Sequence, residues 1–367
     1  MVGDASGRKS RLNCQAHSRV FDRIHMSKIS KTSTGHFAGL DIGGSTIKAM
    51  LVDGKGEQVG ELIEVKSRVD EGYPKTFEQL QAALEALLVG GSITMDDIWG
   101  IGLDVPAPCS KGVIWGKANL SPDWVGTNIC DEFSEMIGKP VTMTNDGNAA
   151  AFGEFLMRPN LESGLLFIAP GTGLAGGLVL PGGYLYEGAN GLAMETGAIS
   201  VPFREGSAMP SDANGREGTL EAWVSLIAIR RQLEARLKSK RYANHPLNQE
   251  DSTIKEKAFK LRDFATDGDG LALEIFRKQA QVLGFAIGDQ CSQLDPGLIV
   301  IGGGLAETKF RDWYLQEVRR GFQRRASPFY QQSPIPPHEP TTQFEWAIGG
   351  DAAAAFGVAR KAQVELG

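Results

Sequence analysis

Two short glycine turns, each entered and left by an apolar run, constrain this chain more than any other feature. In the first, His36-Phe37-Ala38-Gly39-Leu40-Asp41-Ile42 runs into Gly43-Gly44 and leaves along Thr46-Ile47-Lys48-Ala49-Met50-Leu51-Val52-Asp53-Gly54. In the second, Leu165-Leu166-Phe167-Ile168-Ala169-Pro170 runs into Gly171-Thr172-Gly173 and leaves along Gly176-Gly177-Leu178-Val179-Leu180. An extended run that reverses through glycine reads as a hairpin. The two hairpins lie roughly a third of the chain apart, each with a third strand to follow, at Gly60–Val65 and Tyr184–Tyr186. A duplicated lobe, with a cleft between the copies, is the economical explanation.

The spaces between are filled in keeping with an α/β class. Phe77, Leu80, Leu84, Leu87 and Leu88 recur at a helical period, giving one buried face. The strand Ile98–Val105 follows, stopped by Pro106 and Pro108. Leu298–Ile301 reads as a strand entering Gly302-Gly303-Gly304, followed by a helix over Phe310–Phe322. Helical patterns also cover Leu220–Leu237 and Leu271–Leu294, and the polar Lys238–Ala258 between them, broken at His245-Pro246, reads as a surface insertion.

Composition removes several function classes. A net charge of −6 argues against a nucleic-acid partner. No apolar run approaches the ~20 residues that span a bilayer, so no membrane partner is expected. Cys14, Cys109, Cys130 and Cys291 are scattered without a CxxC pair, which suits reduced thiols in the cytoplasm. Residues 1–35 are polar and basic with no apolar core, so they read as a disordered extension and not a secretory signal. Met26 is an alternative start, and the sequon at Asn119-Leu120-Ser121 reads as chance without an export signal.

Four segments carry candidate chemistry. Asp41-Ile42-Gly43-Gly44-Ser45-Thr46 can close backbone N–H groups and small hydroxyls around phosphate oxygens, with Asp41 holding magnesium through water. Alone it serves equally as an ordinary hairpin, and Lys48 as a solvated lysine. Gly171-Thr172-Gly173-Leu174-Ala175-Gly176 matches GxGxxG, but a dinucleotide site needs a helix next, and here a strand follows. No GxxxxGK[ST] is present, which excludes a P-loop. Asp146, after Val141-Thr142-Met143-Thr144-Asn145, can take a proton from a substrate hydroxyl; spacing alone favours an N-cap. Glu195 lies in a glycine-rich loop that can present it to hydroxyls, or can be a plain surface loop.

Taken in order, these segments resemble the ROK family of sugar kinases and sugar-responsive repressors, within the actin-like and hexokinase-like ATPases. The resemblance covers Phe37 to Gly357. It rests on Leu40–Lys48, Asn145-Asp146-Gly147-Asn148-Ala149-Ala150, Gly171–Gly177, Glu187-Gly188-Ala189-Asn190-Gly191 and Asp295–Gly304. It implies a two-lobed, actin-like (ribonuclease H-like) fold with an interlobe cleft, and a kinase using ATP and magnesium. By the same resemblance Asp146 is the general base for a sugar hydroxyl, usually the 6-hydroxyl. Asn119, Asn145, Glu195 and Glu221 hold the sugar. Gly43, Gly44, Ser45 and Thr46 bracket the ATP phosphates with Gly171, Thr172 and Gly173, while Gly303 and Gly304 lie against the adenosine.

The chain also departs from the family's pattern. Members commonly bind structural zinc through a histidine after the sugar-loop glutamate and a CxCGxxGCxE segment. Here Ala198, Asp212, Asn214 and Thr219 stand at those places, leaving no tetrahedral set of soft ligands. The expectation is therefore no structural zinc, and loss of that histidine leaves sugar identity open. Zinc-free relatives include polyphosphate-using glucokinases, so the donor is open between ATP and polyphosphate.

The expected division is a small lobe over 36–147, completed by a C-terminal helix at about 348–367, and a large lobe over 148–347. A homodimer acting on glucose is expected, against two rivals: a non-catalytic sugar sensor or repressor, and a kinase for N-acylated amino sugars. The stretch before His36 is too short for a helix-turn-helix module.

Overall fold

The computed structural model describes residues 35–367 apart from 119 and 205. The expectations for the extension, Met26, Cys14 and Asn119 lie outside the described residues.

Two five-stranded sheets share one topology. The first holds β1 (His36–Ile42), β2 (Thr46–Val52), β3 (Gln58–Lys66), β4 (Ile98–Val105) and β7 (Val141–Asn145), in the order β3-β2-β1-β4-β7. A two-stranded ribbon, β5 (Cys109–Ser110) and β6 (Val113–Ile114), lies between β4 and β7 in sequence. The second sheet holds β8 (Leu165–Pro170), β9 (Leu174–Leu180), β10 (Tyr184–Leu185), β11 (Leu298–Ile301) and β12 (Gln343–Trp346), in the order β10-β9-β8-β11-β12. In each, an antiparallel meander is extended by two parallel strands.

The sequence explains which strands sit where. β4 and β11 are buried almost throughout, as parallel strands covered on both faces must be. β3, at an edge, is half exposed and carries Glu61, Glu64 and Lys66.

The main helices are α1 (Tyr73–Gly91), α2 (Ile129–Ile137), α3 (Asp146–Leu156), α4 (Glu221–Val224), α5 (Leu226–Leu237), α6 (Ile254–Thr266), α7 (Gly270–Leu294), α8 (Arg311–Gln323) and α9 (Ala353–Leu366), with further single turns at Pro246–Gln249 and Pro328–Gln331. Phe77, Leu80 and Leu84 of α1 join the first sheet's core with Leu40, Leu103 and Trp124. The second sheet's core gathers Leu166, Ile168 and Ile301 with Trp223, Phe276 and Tyr314. Helix α9 packs on the first sheet and α3 on the second, and the two helices pack on each other. Their backbones touch: a Cβ at Gly153 would sit 1.9 Å from the Ala353 carbonyl oxygen, and one at Gly357 2.0 Å from that of Ala149. No helix among the described residues is long and apolar enough to cross a membrane.

Two expectations need correction. The helix expected over Leu220–Leu237 breaks at Ser225, whose extended backbone and side chain cap α5 through the Ala228 N–H at 3.2 Å. An N-cap serine inside an apolar-periodic run is a signal that periodicity overrides. The Lys238–Ala258 stretch lies mostly at the surface, as expected, but is anchored to the large core and not a free insertion. Leu247 and Ala258 join the large core, and His245 is buried, accepting from the Leu247 N–H and facing Asp269 at 3.2 Å. Polar residues outnumber the few apolar anchors that fix the stretch.

Candidate active site

At the first turn, the Gly43 N–H donates to the Thr46 carbonyl at 2.9 Å, closing the reversal between β1 and β2. Asp41 and Lys48 face each other across this pair, and the Lys48 ammonium is held by Asp351, just before α9. Gly44 and Ser45 are exposed, and nothing stands within 4 Å of the Cβ position at Gly44. The outer side of the turn is open.

The second turn is closed by the Gly171 N–H donating to Gly173 at 2.9 Å, and is likewise open at Gly171. The Leu226 N–H donates to the Gly171 carbonyl at 2.9 Å, so the N-terminus of α5 abuts the turn. A helix N-terminus favours anions. Gly303, at φ +75°, lies against Pro170, its Cβ position 2.6 Å from that carbonyl. The third glycine segment therefore joins the second turn, and Arg262 of α6 donates to the Gly304 carbonyl at 3.2 Å.

Beside Thr172 runs a cavity of about 710 Å³, lined by Leu226 and Arg230 of α5 and by Lys255, Phe259 and Lys260 of α6. Phe259 is 72% exposed there. A pocket of this size suits a nucleotide-sized ligand. Sequence reasoning missed Arg230 and Phe259, because the first depends on α5 starting afresh at Ser225 and the second on α6 lying alongside.

Asp146 opens α3, yet it is not the cap. Asn145 takes that role, its side-chain oxygen accepting from the Asn148 N–H at 2.8 Å. The Asp146 carboxylate accepts from its neighbouring Gly147 N–H at 2.7 Å. Burial pushes its pKa up to about 6, aided by the charges of Asp41 and Glu195 against the lowering effect of the Gly147 bond. Asp41, Asp146 and Glu195 thus share one neighbourhood. Glu195 is itself raised, chiefly by desolvation.

Glu221 opens α4 and accepts from the Leu174 N–H at 3.2 Å, its carboxylate 2.7 Å from the Cβ position at Gly173. It sits against the second turn while acting electrostatically on Glu195. Upstream of Glu195, Glu187 accepts from the Thr144 hydroxyl at 2.6 Å and from Lys361 of α9 at 2.8 Å. The glycine-rich loop is therefore pinned at its start to the first sheet and its helix.

Asp212, Asn214 and Thr219 stand close together. The Asp212 side chain is buried and accepts from the Asn214 N–H (2.9 Å), the Arg216 N–H (3.0 Å) and guanidinium (2.8 Å), and the Thr219 hydroxyl (3.1 Å). Among the described residues no group of three or more His, Cys, Asp or Glu side chains is placed to hold a metal ion. One carboxylate knits this segment together by hydrogen bonds.

One further buried acid escaped the sequence reading. Asp104 pairs in register with Asp41 and is fully buried. Burial first, then the charge of Asp41, drives its pKa well above the carboxylate range. Its signal was a lone charge in an otherwise apolar strand.

Comparison with known proteins agrees with this architecture. The sequence model of the ROK family matches residues 37–363. A glucokinase of Halalkalibacterium halodurans is 32% identical over 299 residues, 80% of this chain and 86% of that protein. An N-acetylmannosamine kinase of Vibrio cholerae is 29% identical over 79% of this chain and 90% of its own. The crystal structure of a ROK family glucokinase from Streptomyces griseus with glucose and AMPPNP superposes with a TM-score of 0.69 at 25% identity, over 90% of this chain and 99% of that one. With two sheets of one topology, paired glycine turns and a family match over most of its length, the chain belongs to the ROK family and has its two-lobed, actin-like ATPase fold.

Proposed function

We propose that this protein transfers the terminal phosphoryl group of ATP to a hexose, with glucose at its 6-hydroxyl as the first candidate. The observation that carries the reading is Asp146: a buried carboxylate next to the N-cap Asn145, bonded to the Gly147 N–H, with a pKa of about 6 and within electrostatic reach of Asp41 and Glu195. A base of that pKa is ionised at neutral pH and can take the proton of a hydroxyl as the hydroxyl attacks phosphorus.

In this reading the sugar lies against Asn145 and Glu195, with Asn119 and Glu221 as further contacts. The two turns, Gly43–Thr46 and Gly171–Gly173, flank the donor phosphates, with Lys48 near the first. The cavity along α5 and α6 takes the nucleotide, close to Gly303 and Gly304. Asp41 supplies the hard oxygen that magnesium prefers, so the donor set fits that ion. When bound, it neutralises charge on the phosphate oxygens. Asp212 replaces structural zinc as the tie of its segment. About one equivalent of zinc in the purified protein would overturn that last point.

A coupled kinase assay crossing a panel of hexoses and N-acyl hexosamines with ATP and polyphosphate tests the function. Turnover of glucose with ATP is expected. Turnover only with an N-acyl hexosamine would move the assignment to an amino-sugar kinase. No turnover with any pair would favour a sugar sensor.

A further inference from the structure

Strand β4 runs Ile98-Trp99-Gly100-Ile101-Gly102-Leu103-Asp104-Val105, with Asp104 its sole charge. That residue has no exposed surface, and among the described residues its carboxyl group has only the Asp41 carboxyl as a hydrogen-bonding neighbour. Two adjoining buried carboxyls with only each other as partners cannot both ionise unless a cation lies between them. A fold that keeps such a pair needs something to match it.

The register says where it points. Asp104 lies opposite Asp41 on parallel β1 and β4, so both side chains leave the same face of the sheet. Asp146 follows the end of the next strand, β7, and its charge bears on Asp104 as well. All three acids stand at the carboxyl ends of parallel strands, where open α/β sheets bind ligands. Lys48 bears on Asp41, and its ammonium is already engaged by Asp351.

Resting on the phosphoryl-transfer reading, we propose that Asp104 is a second carboxylate of the divalent-cation site, acting with Asp41 to hold the ion that accompanies the donor phosphates. Magnesium is commonly bound by one or two carboxylates, with phosphate oxygens and waters completing the shell. A pair of acids under the first glycine turn meets that requirement without a larger protein cage, and none is present among the described residues. Asp146 is left to serve the sugar. The competing account is a carboxyl pair that shares a proton and never meets a cation.

Manganese(II) is the probe. Its binding is followed by electron paramagnetic resonance with a non-hydrolysable ATP analogue present, in the wild-type protein and in Asp104→Asn. Thermal unfolding is recorded with and without the ion. The variant should bind manganese about 10–100-fold more weakly, keep its glucose affinity, and melt no lower than wild type without the ion, because the amide can donate to Asp41 where the protonated acid did. Manganese affinity within about threefold of wild type, well short of that loss, would overturn the role of Asp104 and leave the kinase reading standing. Nucleotide-dependent manganese binding absent from the wild type would overturn both. Should Asp104→Asn fail to fold, the same titration on Asp104→Ser decides the question by the same criterion.

Discussion

Asp146 owes its chemistry to the residue before it. Because Asn145 supplies the cap of α3, the aspartate bonds only the neighbouring Gly147 N–H there, and burial with Asp41 and Glu195 nearby lifts its pKa to about 6. A base works only when ionised, so kcat/KM should be flat above that value. It should fall about tenfold per unit as pH drops below it; a profile flat down to pH ~4, the ordinary aspartate range, would contradict the assignment. Asp212 shows the opposite shift. Its donors, at Arg216 and Asn214 foremost, hold its pKa below the usual value against the cost of burial. A depressed acid contributes stability above its unfolded pKa of about 3.9, and that stability fades as pH falls through the folded value. Asp212→Asn should therefore lower stability at neutral pH by about 1.5–3 kcal/mol, with the difference shrinking in acid. Denaturant melts at pH 7 and pH 3 would show it. Neither role is written in spacing: spacing alone favoured Asp146 as the cap, where the structure has Asn145, and Asp104 needed β1 and β4 in register before it met Asp41.

Elements explain why some of the site was legible and some was not. Both hairpins, their flanking strands and the long helix α7 follow from apolar periodicity and glycine punctuation, which act locally. The cavity beside Thr172 does not, since it depends on α5 starting afresh at Ser225 and on α6 lining it alongside. Lys255, Phe259 and Lys260 look like any exposed helical residues until that placement is known. Arg230 lines the cavity next to Thr172, and its Nε is buried without a hydrogen-bond partner among the described residues. Arg230→Ala should raise the KM for ATP about 10–100-fold, the size of a lost hydrogen bond to a charged group, with glucose affinity unchanged. Initial rates at varied ATP and glucose would separate the two.

At the scale of the whole molecule, two copies of one sheet topology face a shared cleft, with α3 and α9 packed between them at backbone contact. The crossing is packed through Gly153 and Gly357, and in the proposed reaction closure over a sugar would keep water from competing for the phosphoryl group. The loop that starts at Glu187 is tied to Thr144 and Lys361, so lobe movement would carry it relative to the rest of the cleft. The claim that joins these parts is that the cleft moves a phosphoryl group with Asp146 as base. Single-turnover kinetics of Asp146→Asn with ATP and glucose, alongside calorimetric glucose binding, test it most directly. The account predicts a rate lower by about 10²–10⁴-fold with glucose affinity preserved, and an unchanged rate would contradict it.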